Sequence, residues 1–149
     1  NYLPSMYKDS FLKVKNEGIN ITIHAGEGDG VHSIQEALDN GAKRIGHGVR
    51  IIEDINDDNQ LGPTADHVLQ NNIPLEVCIT SNIHTNMYKN PQDHPISRLH
   101  NLGFNISLNT DNRLMSNTSI DNELNVAKTA GIENPTSLLK YSASDSFLN

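Results

Sequence analysis

The sequence predicts an α/β chain with parallel strands, and three observations carry that reading. Four short β-branched or apolar runs, at 19–23, 44–46, 74–79 and 104–108, alternate with stretches whose apolar residues recur at helical spacing. Parallel neighbours need a crossover between them, and the helical stretches supply it. Each run also ends in polar residues capable of chemistry, rather than in a plain turn.

The elements follow in order. Tyr7, Phe11 and Val14 stand at i, i+4 and i+7, marking a first helix with Pro4 near its start and Gly18 as its stop. Residues 19–23 are β-branched and read as a strand. Ile34, Ala37 and Leu38 mark a helix closed by Asn40-Gly41. Residues 44–46 form the second strand. The acidic loop at 56–62 lacks the ligand spacing and central glycine of an EF-hand. Pro63 opens a helix through Val68 and Leu69, and 74–79 is the third strand. After a loop at 91–95, Ile96, Leu99 and Leu102 mark a helix, and 104–108 is the fourth strand. Ile120, Leu124 and Ala127 give one more helix, and Leu138, Leu139, Ala143 and Phe147 the last.

No linker or low-complexity segment divides the chain, so 1–149 reads as a single domain. In an open doubly wound sheet, ligand groups gather at one switch point. Here every strand end is polar, which favours a TIM (β/α)8 barrel, whose site collects residues from many strand ends. A whole barrel takes about 250 residues. Four strands in 149 residues make half of one, a partial barrel of about four β/α units.

Composition narrows the function classes. Asp and Glu number 18 against 11 Lys and Arg, a net charge of −7, so nucleic acid is not an expected partner. The apolar runs are too short to span a bilayer, and no basic amphipathic stretch suits a membrane surface. No signal-peptide pattern opens the chain. Its first residue is Asn1, so the chain is expected to be part of something longer or a processed product. The single cysteine, Cys78, allows no internal disulfide, fits a reducing, cytoplasmic location, and reads as a small buried apolar residue.

The strand ends hold the chemistry. His24 follows Ile21-Thr22-Ile23, placed to present a ring nitrogen to a metal or to bond backbone. Glu27 lies three residues on, in a glycine-flanked turn before a helix, and Ala25 and Gly26 allow close approach of a substrate to backbone. A phosphate loop at Gly26, Gly28 and Gly30 is disfavoured, because two acids lie inside it and no lysine follows. His47 sits between Gly46 and Gly48, which suggests tight backbone and an accessible side chain. Asp111 lies past the fourth strand, where a carboxylate ligates metal or caps a helix. Ser81-Asn82 closes the third strand. Among other histidines, His67 and His100 read as surface residues on helices. His32 falls in a first turn, His84 is a candidate pocket residue, and His94 lies in a loop.

Three strings, Thr22-Ile-His-Ala-Gly-Glu27, Arg44-Ile-Gly-His-Gly48 and Ser107-Leu-Asn-Thr-Asp111, resemble the adenosine deaminase family, in the order of its C-terminal half. Ser33-Ile34-x-x-Ala37-Leu38 resembles the helix after the family's glutamate, and Leu75-Glu76-Val77-Cys78-x-Thr80-Ser81-Asn82 its seventh strand. The resemblance implies a Zn2+ enzyme converting adenosine to inosine and ammonia. His24 and Asp111 would be zinc ligands, and Glu27 would hand a proton to purine N1. His47 would orient the attacking water and help deprotonate it, while Gly26 and Asn112 would contact substrate.

Two departures stand out. The family commonly has a second aspartate after its zinc-binding one, reading purine N7; here that residue is Asn112, whose amide donates without needing a proton. The family's His-x-His pair, two further zinc ligands from its first strand, does not occur. The isolated chain is therefore expected to bind zinc weakly and to be inactive. Its expected partners are a purine nucleoside and either an N-terminal half or a second copy along bare strand edges. The alternatives are a deaminase of adenine, AMP or a modified adenosine, and a non-catalytic fragment. The single cysteine excludes the Pro-Cys-x-x-Cys deaminases of the other fold.

Overall fold

Four runs of β-branched and apolar residues extend as β1 (Ile21–Ala25), β2 (Ala42–His47), β3 (Leu75–Val77) and β4 (Ile106–Leu108). They form one parallel sheet in the order β1-β2-β3-β4, so neighbours in sequence are neighbours in space. That sequential winding is the path of a (β/α)8 barrel, and this chain forms four of its units. The computed structural model describes residues 3–139 and Phe147. The last expected helix falls largely outside the described residues: Leu138 and Leu139 lie in a 3-10 turn at Pro135–Leu139, and Ala143 is not described.

The crossovers are α2 (Val31–Asp39), α3 (Pro63–Gln70) and α5 (Ile96–Asn101), preceded by α1 (Lys8–Asn16). One sheet face meets them. Ile23, Ile45, Leu75 and Ile106 pack there with Ile34, Ala37, Val68 and Leu99 in one buried cluster. Successive side chains alternate in a strand, so the other face carries Thr22, Arg44 and Glu76. Arg44 Nε donates to Thr22 Oγ1 at 3.1 Å and lies 3.3 Å from Glu76 Oε1. The Phe147 ring covers the Arg44 guanidinium at 4.0 Å.

Register places the chemistry. Ala25 lies opposite His47, and Val77 opposite Leu108. The ladder runs on past the strand ends, with Gly48 N–H on Ala25 O at 2.9 Å and Asn109 N–H on Val77 O at 2.8 Å. The loops after β1, β2 and β4 therefore leave from the same end of the sheet.

Observed bounds differ from the sequence reading at all four strands, the fourth starting at Ile106 rather than 104. β1 is shifted two residues on, so His24 belongs to the strand, and β2 runs to His47 itself. The third strand was expected through 79 but ends at Val77, and α4 (Ile79–His84) begins at once. Ser81 and Asn82 thus stand on a helix.

A distant residue holds the first turn of this helix. Glu123, fully buried on α7 (Ile120–Thr129), accepts the Thr80 N–H at 3.3 Å and the Thr118 hydroxyl at 2.9 Å. Its carboxylate meets a first-turn amide that has no partner within the helix. A short α6 (Arg113–Ser116) follows Asp111. Among the described residues, no helix is long and apolar enough to cross a membrane.

Removing the Glu123 carboxylate leaves the buried Thr80 N–H without its acceptor and takes one of the partners of the Thr118 hydroxyl. Glu123→Ala is expected to lower unfolding stability by about 2–3 kcal/mol in urea titrations. The same change at exposed Glu133 should stay within about 0.5 kcal/mol.

Candidate active site

Four side chains from three strand ends converge. His24 projects, exposed, from β1, its ring 5.2 Å from the His47 ring. His47 ends β2 almost sealed, at 1 % exposure. Its Nε2 lies 3.5 Å from Glu27 Oε2 and 3.9 Å from Asp111 Oδ2. Two of these residues hold left-handed backbone, His47 at φ 63° and Asp111 at φ 55°. That conformation is uncommon outside glycine and concentrates at functional sites.

Two adjoining clefts share His24. One is lined by His47, Cys78 and Asp111 as well, the other by Gly26, Glu27 and Ser33.

Two neighbours on α4 brace the group. Ser81 Oγ donates to Asp111 Oδ2 at 2.7 Å. Asn82 is fully buried, with Nδ2 3.1 Å from His47 Nδ1 and 3.4 Å from Glu27 Oε1. Its Oδ1 faces His94 Nε2 at 3.2 Å.

The sequence reading placed Ser81-Asn82 at a strand end without a role, and His94 only in a loop. His94 is buried in that loop, with its ring edge on Tyr88 at 4.9 Å. No local pattern marks it, because its partner Asn82 is twelve residues away.

The remaining candidates sort as follows. Gly26 is buried at φ 67°, and an added Cβ would meet Ile34 Cδ1 at 2.5 Å. Its N–H goes to Ser33 Oγ at 2.8 Å. Asn112 is exposed and caps α6, its Oδ1 taking the Leu114 and Met115 N–H groups, each at 3.1 Å. The cap uses the amide oxygen and leaves Nδ2 to donate. His84 ends α4 exposed and lines neither cleft. His32, His67 and His100 are exposed on helices, as expected.

One ligand atom each from His24, His47 and Asp111 lies within 4.8 Å of the others. The imidazole of His24 and the carboxylate of Asp111 suit a borderline divalent ion such as zinc, with the His47 ring beside them. The Ser81 bond to Oδ2 fixes the orientation of the Asp111 carboxylate, as outer contacts do for metal-ligating groups. The donor set fits a metal ion.

Burial also sets the protonation states. It pushes the His47 imidazole below its ordinary range, against the pull of the Glu27 carboxylate. Burial, with His47 nearby, takes His94 down to about 3. Burial raises the Cys78 thiol to about 12, reinforced by Asp111 and Glu123.

A family model described as Adenosine deaminase matches residues 2–141. The chain belongs to the adenosine deaminase family. Adenosine deaminase 1 of Streptomyces coelicolor is 46 % identical over 127 residues, 82 % of this chain and 32 % of that protein. An adenosine deaminase of Mycolicibacterium vanbaalenii is 43 % identical over 128 residues, 83 % of this chain and 35 % of that one. The chain thus spans about a third of the length of these curated adenosine deaminases.

Among solved structures, an adenine deaminase from Arthrobacter aurescens superposes with a TM-score of 0.85 at 24 % identity, over 99 % of this chain and 44 % of that one. An Arabidopsis N6-mAMP deaminase gives 0.78 at 26 % identity, over 97 % of this chain and 42 % of that one.

The buried histidines make stability pH-dependent. The His94 imidazole lies at about 3 when folded, against an ordinary 6.5, so between those values the unfolded chain holds more protons. Its contribution is full above 6.5 and is lost as pH falls toward 3. His47 acts in the same direction. Urea titrations are expected to show stability falling below that upper value by up to about 1.4 kcal/mol per pH unit per histidine. His94→Gln should flatten the slope.

Proposed function

We propose that the protein to which this chain belongs is a zinc-dependent deaminase converting adenosine to inosine and ammonia. One observation carries this: His24, Glu27, His47 and Asp111 converge where two adjoining clefts meet, in the order of the adenosine deaminase motifs. The names of the curated relatives support the substrate.

In this reading His24 and Asp111 hold zinc together with ligands from outside the described residues. Zinc there would lower the pKa of water toward about 7, making hydroxide available at neutral pH. The water oxygen bonds to purine C6 and the C6–amino bond breaks; of the water's two protons one restores Glu27 and the other leaves on the amino group as ammonia, and C6 becomes the carbonyl. Glu27 hands a proton to N1 as the water adds, and His47 orients that water. Asn112 donates from Nδ2 to N7, its Oδ1 being held by the α6 cap. Gly26 lets the purine lie close to backbone.

The chain acts as one partial barrel domain, 1–149, and its ligand is a purine nucleoside. A partner fits along β1 and β4, each paired on one side only among the described residues. That partner is the N-terminal half of the barrel or a second copy. A reducing, cytoplasmic setting suits the lone free thiol of Cys78.

A second reading keeps the chemistry and changes the substrate to adenine, AMP or a modified adenosine. Asn112, in place of the family's aspartate, supports it, as do the adenine and N6-mAMP deaminases among the solved structures.

The test is an ultraviolet assay of adenosine conversion, run with zinc on this chain and on a longer form containing it. Turnover is expected from the longer form and little from the isolated chain. Glu27→Gln should cut kcat by about 10²–10⁴-fold with zinc content retained. A chelator should abolish turnover and added zinc restore it. Turnover of another aminopurine in place of adenosine would select the second reading; zinc-loaded protein inert on every aminopurine would leave a binding fragment.

A further inference from the structure

We propose that Asn82 and His94 are positioning residues, fixing the ring orientation and tautomer of His47 through a hydrogen-bond chain that starts at the backbone of Ile96. The inference deepens the proposed function, resting on that reading only for what the site is used for.

The chain has one consistent polarity. A backbone N–H can only donate, and Ile96 N lies 3.2 Å from His94 Nδ1. Nδ1 therefore presents its lone pair, and a neutral ring then carries its proton on Nε2. That N–H faces Asn82 Oδ1 at 3.2 Å, which can only accept. This bond sets the amide the right way round, since the flipped amide would set donor against donor.

Asn82 Nδ2 is thereby turned to His47 Nδ1, at 3.1 Å. An amide nitrogen donates and does not accept, so His47 Nδ1 must accept. The neutral His47 ring carries its proton on Nε2, the nitrogen facing Glu27 and Asp111. The second Asn82 N–H reaches Glu27 Oε1 at 3.4 Å, so one amide touches two of the site's side chains.

Solvent has no place in this chain. Asn82 is 0 % exposed, His47 1 % and His94 3 %. Water cannot stand in for a lost partner, so the direction set at Ile96 passes undiluted to the cleft. Neither Asn82 nor His94 lines the two clefts, so both act through His47.

Two-bond ¹H–¹⁵N correlation spectra of the labelled protein, above neutral pH, read imidazole tautomers directly. His47 is expected with Nε2 protonated and Nδ1 bare. Asn82→Asp keeps the shape but replaces the donor by an acceptor, and should move the proton to Nδ1. His94→Gln, whose amide can still donate to Asn82, should keep the native tautomer, whereas His94→Leu should give a mixture.

Turnover should fall roughly 10–100-fold in Asn82→Asp, with KM changed far less. A wild-type His47 protonated at Nδ1, or a tautomer unmoved by Asn82→Asp, overturns the proposal. If Asn82→Asp does not fold, the wild-type spectrum and the two His94 variants decide it. A protein that turns over no adenosine would refute the substrate reading and leave the tautomer test intact.

Discussion

Left-handed backbone at two strand ends is the constraint on which the site depends. An extended strand sends successive side chains to opposite faces. A single residue at positive φ breaks that alternation and swings the next part of the chain over the sheet's end. Gly26 and Gly48 do this at little steric cost, at φ 67° each. His47 and Asp111 do it as non-glycine residues, a strain of about 1–3 kcal/mol each that persists only where surroundings over-determine the conformation. For His47 those surroundings are near-total burial and the Asn82 amide. For Asp111 the 2.7 Å bond from Ser81 does the same. Both braces come from α4, and α4 in turn is held at its first turn by Glu123.

A hierarchy of restraint follows. Parallel register brings the ends of β1 and β2 together, with Ala25 opposite His47. The left-handed residues turn the side chains into a common cleft. A buried helix, pinned by a buried carboxylate, then stops them from relaxing. Burial also sets the electrostatics: His47 and His94 are both held toward the neutral form.

The sequence was most legible where structure is local. Alternating periods disclosed four strands and their crossovers, since Ile34, Ala37 and Leu38, or Ile96 and Leu99, declare a helix within a few residues. The convergent His24, Glu27, His47 and Asp111 were legible too, because each follows an apolar run beside glycine or a strand end. What stayed hidden depends on contacts between distant residues. Ile79 reads as strand by its β-branching, yet a helix starts there, its first turn held by Glu123, 43 positions away from Thr80. His94 reads as a loop residue until the fold sets it against Asn82 and Tyr88. Asn112 was legible as a donor, but the α6 cap that fixes its amide is known only from the structure.

Cys78 lines the cleft yet is ringed by carboxylates, and its buried thiol is held up to about 12. Alkylating reagents and oxidants act on thiolates, so in the folded chain this sulfur reacts slowly with both. It becomes readily reactive only when β3 and α4 open. The protein therefore carries its own unfolding clock: the labelling rate of its one cysteine reports how often the centre of the site comes apart, with no engineered probe.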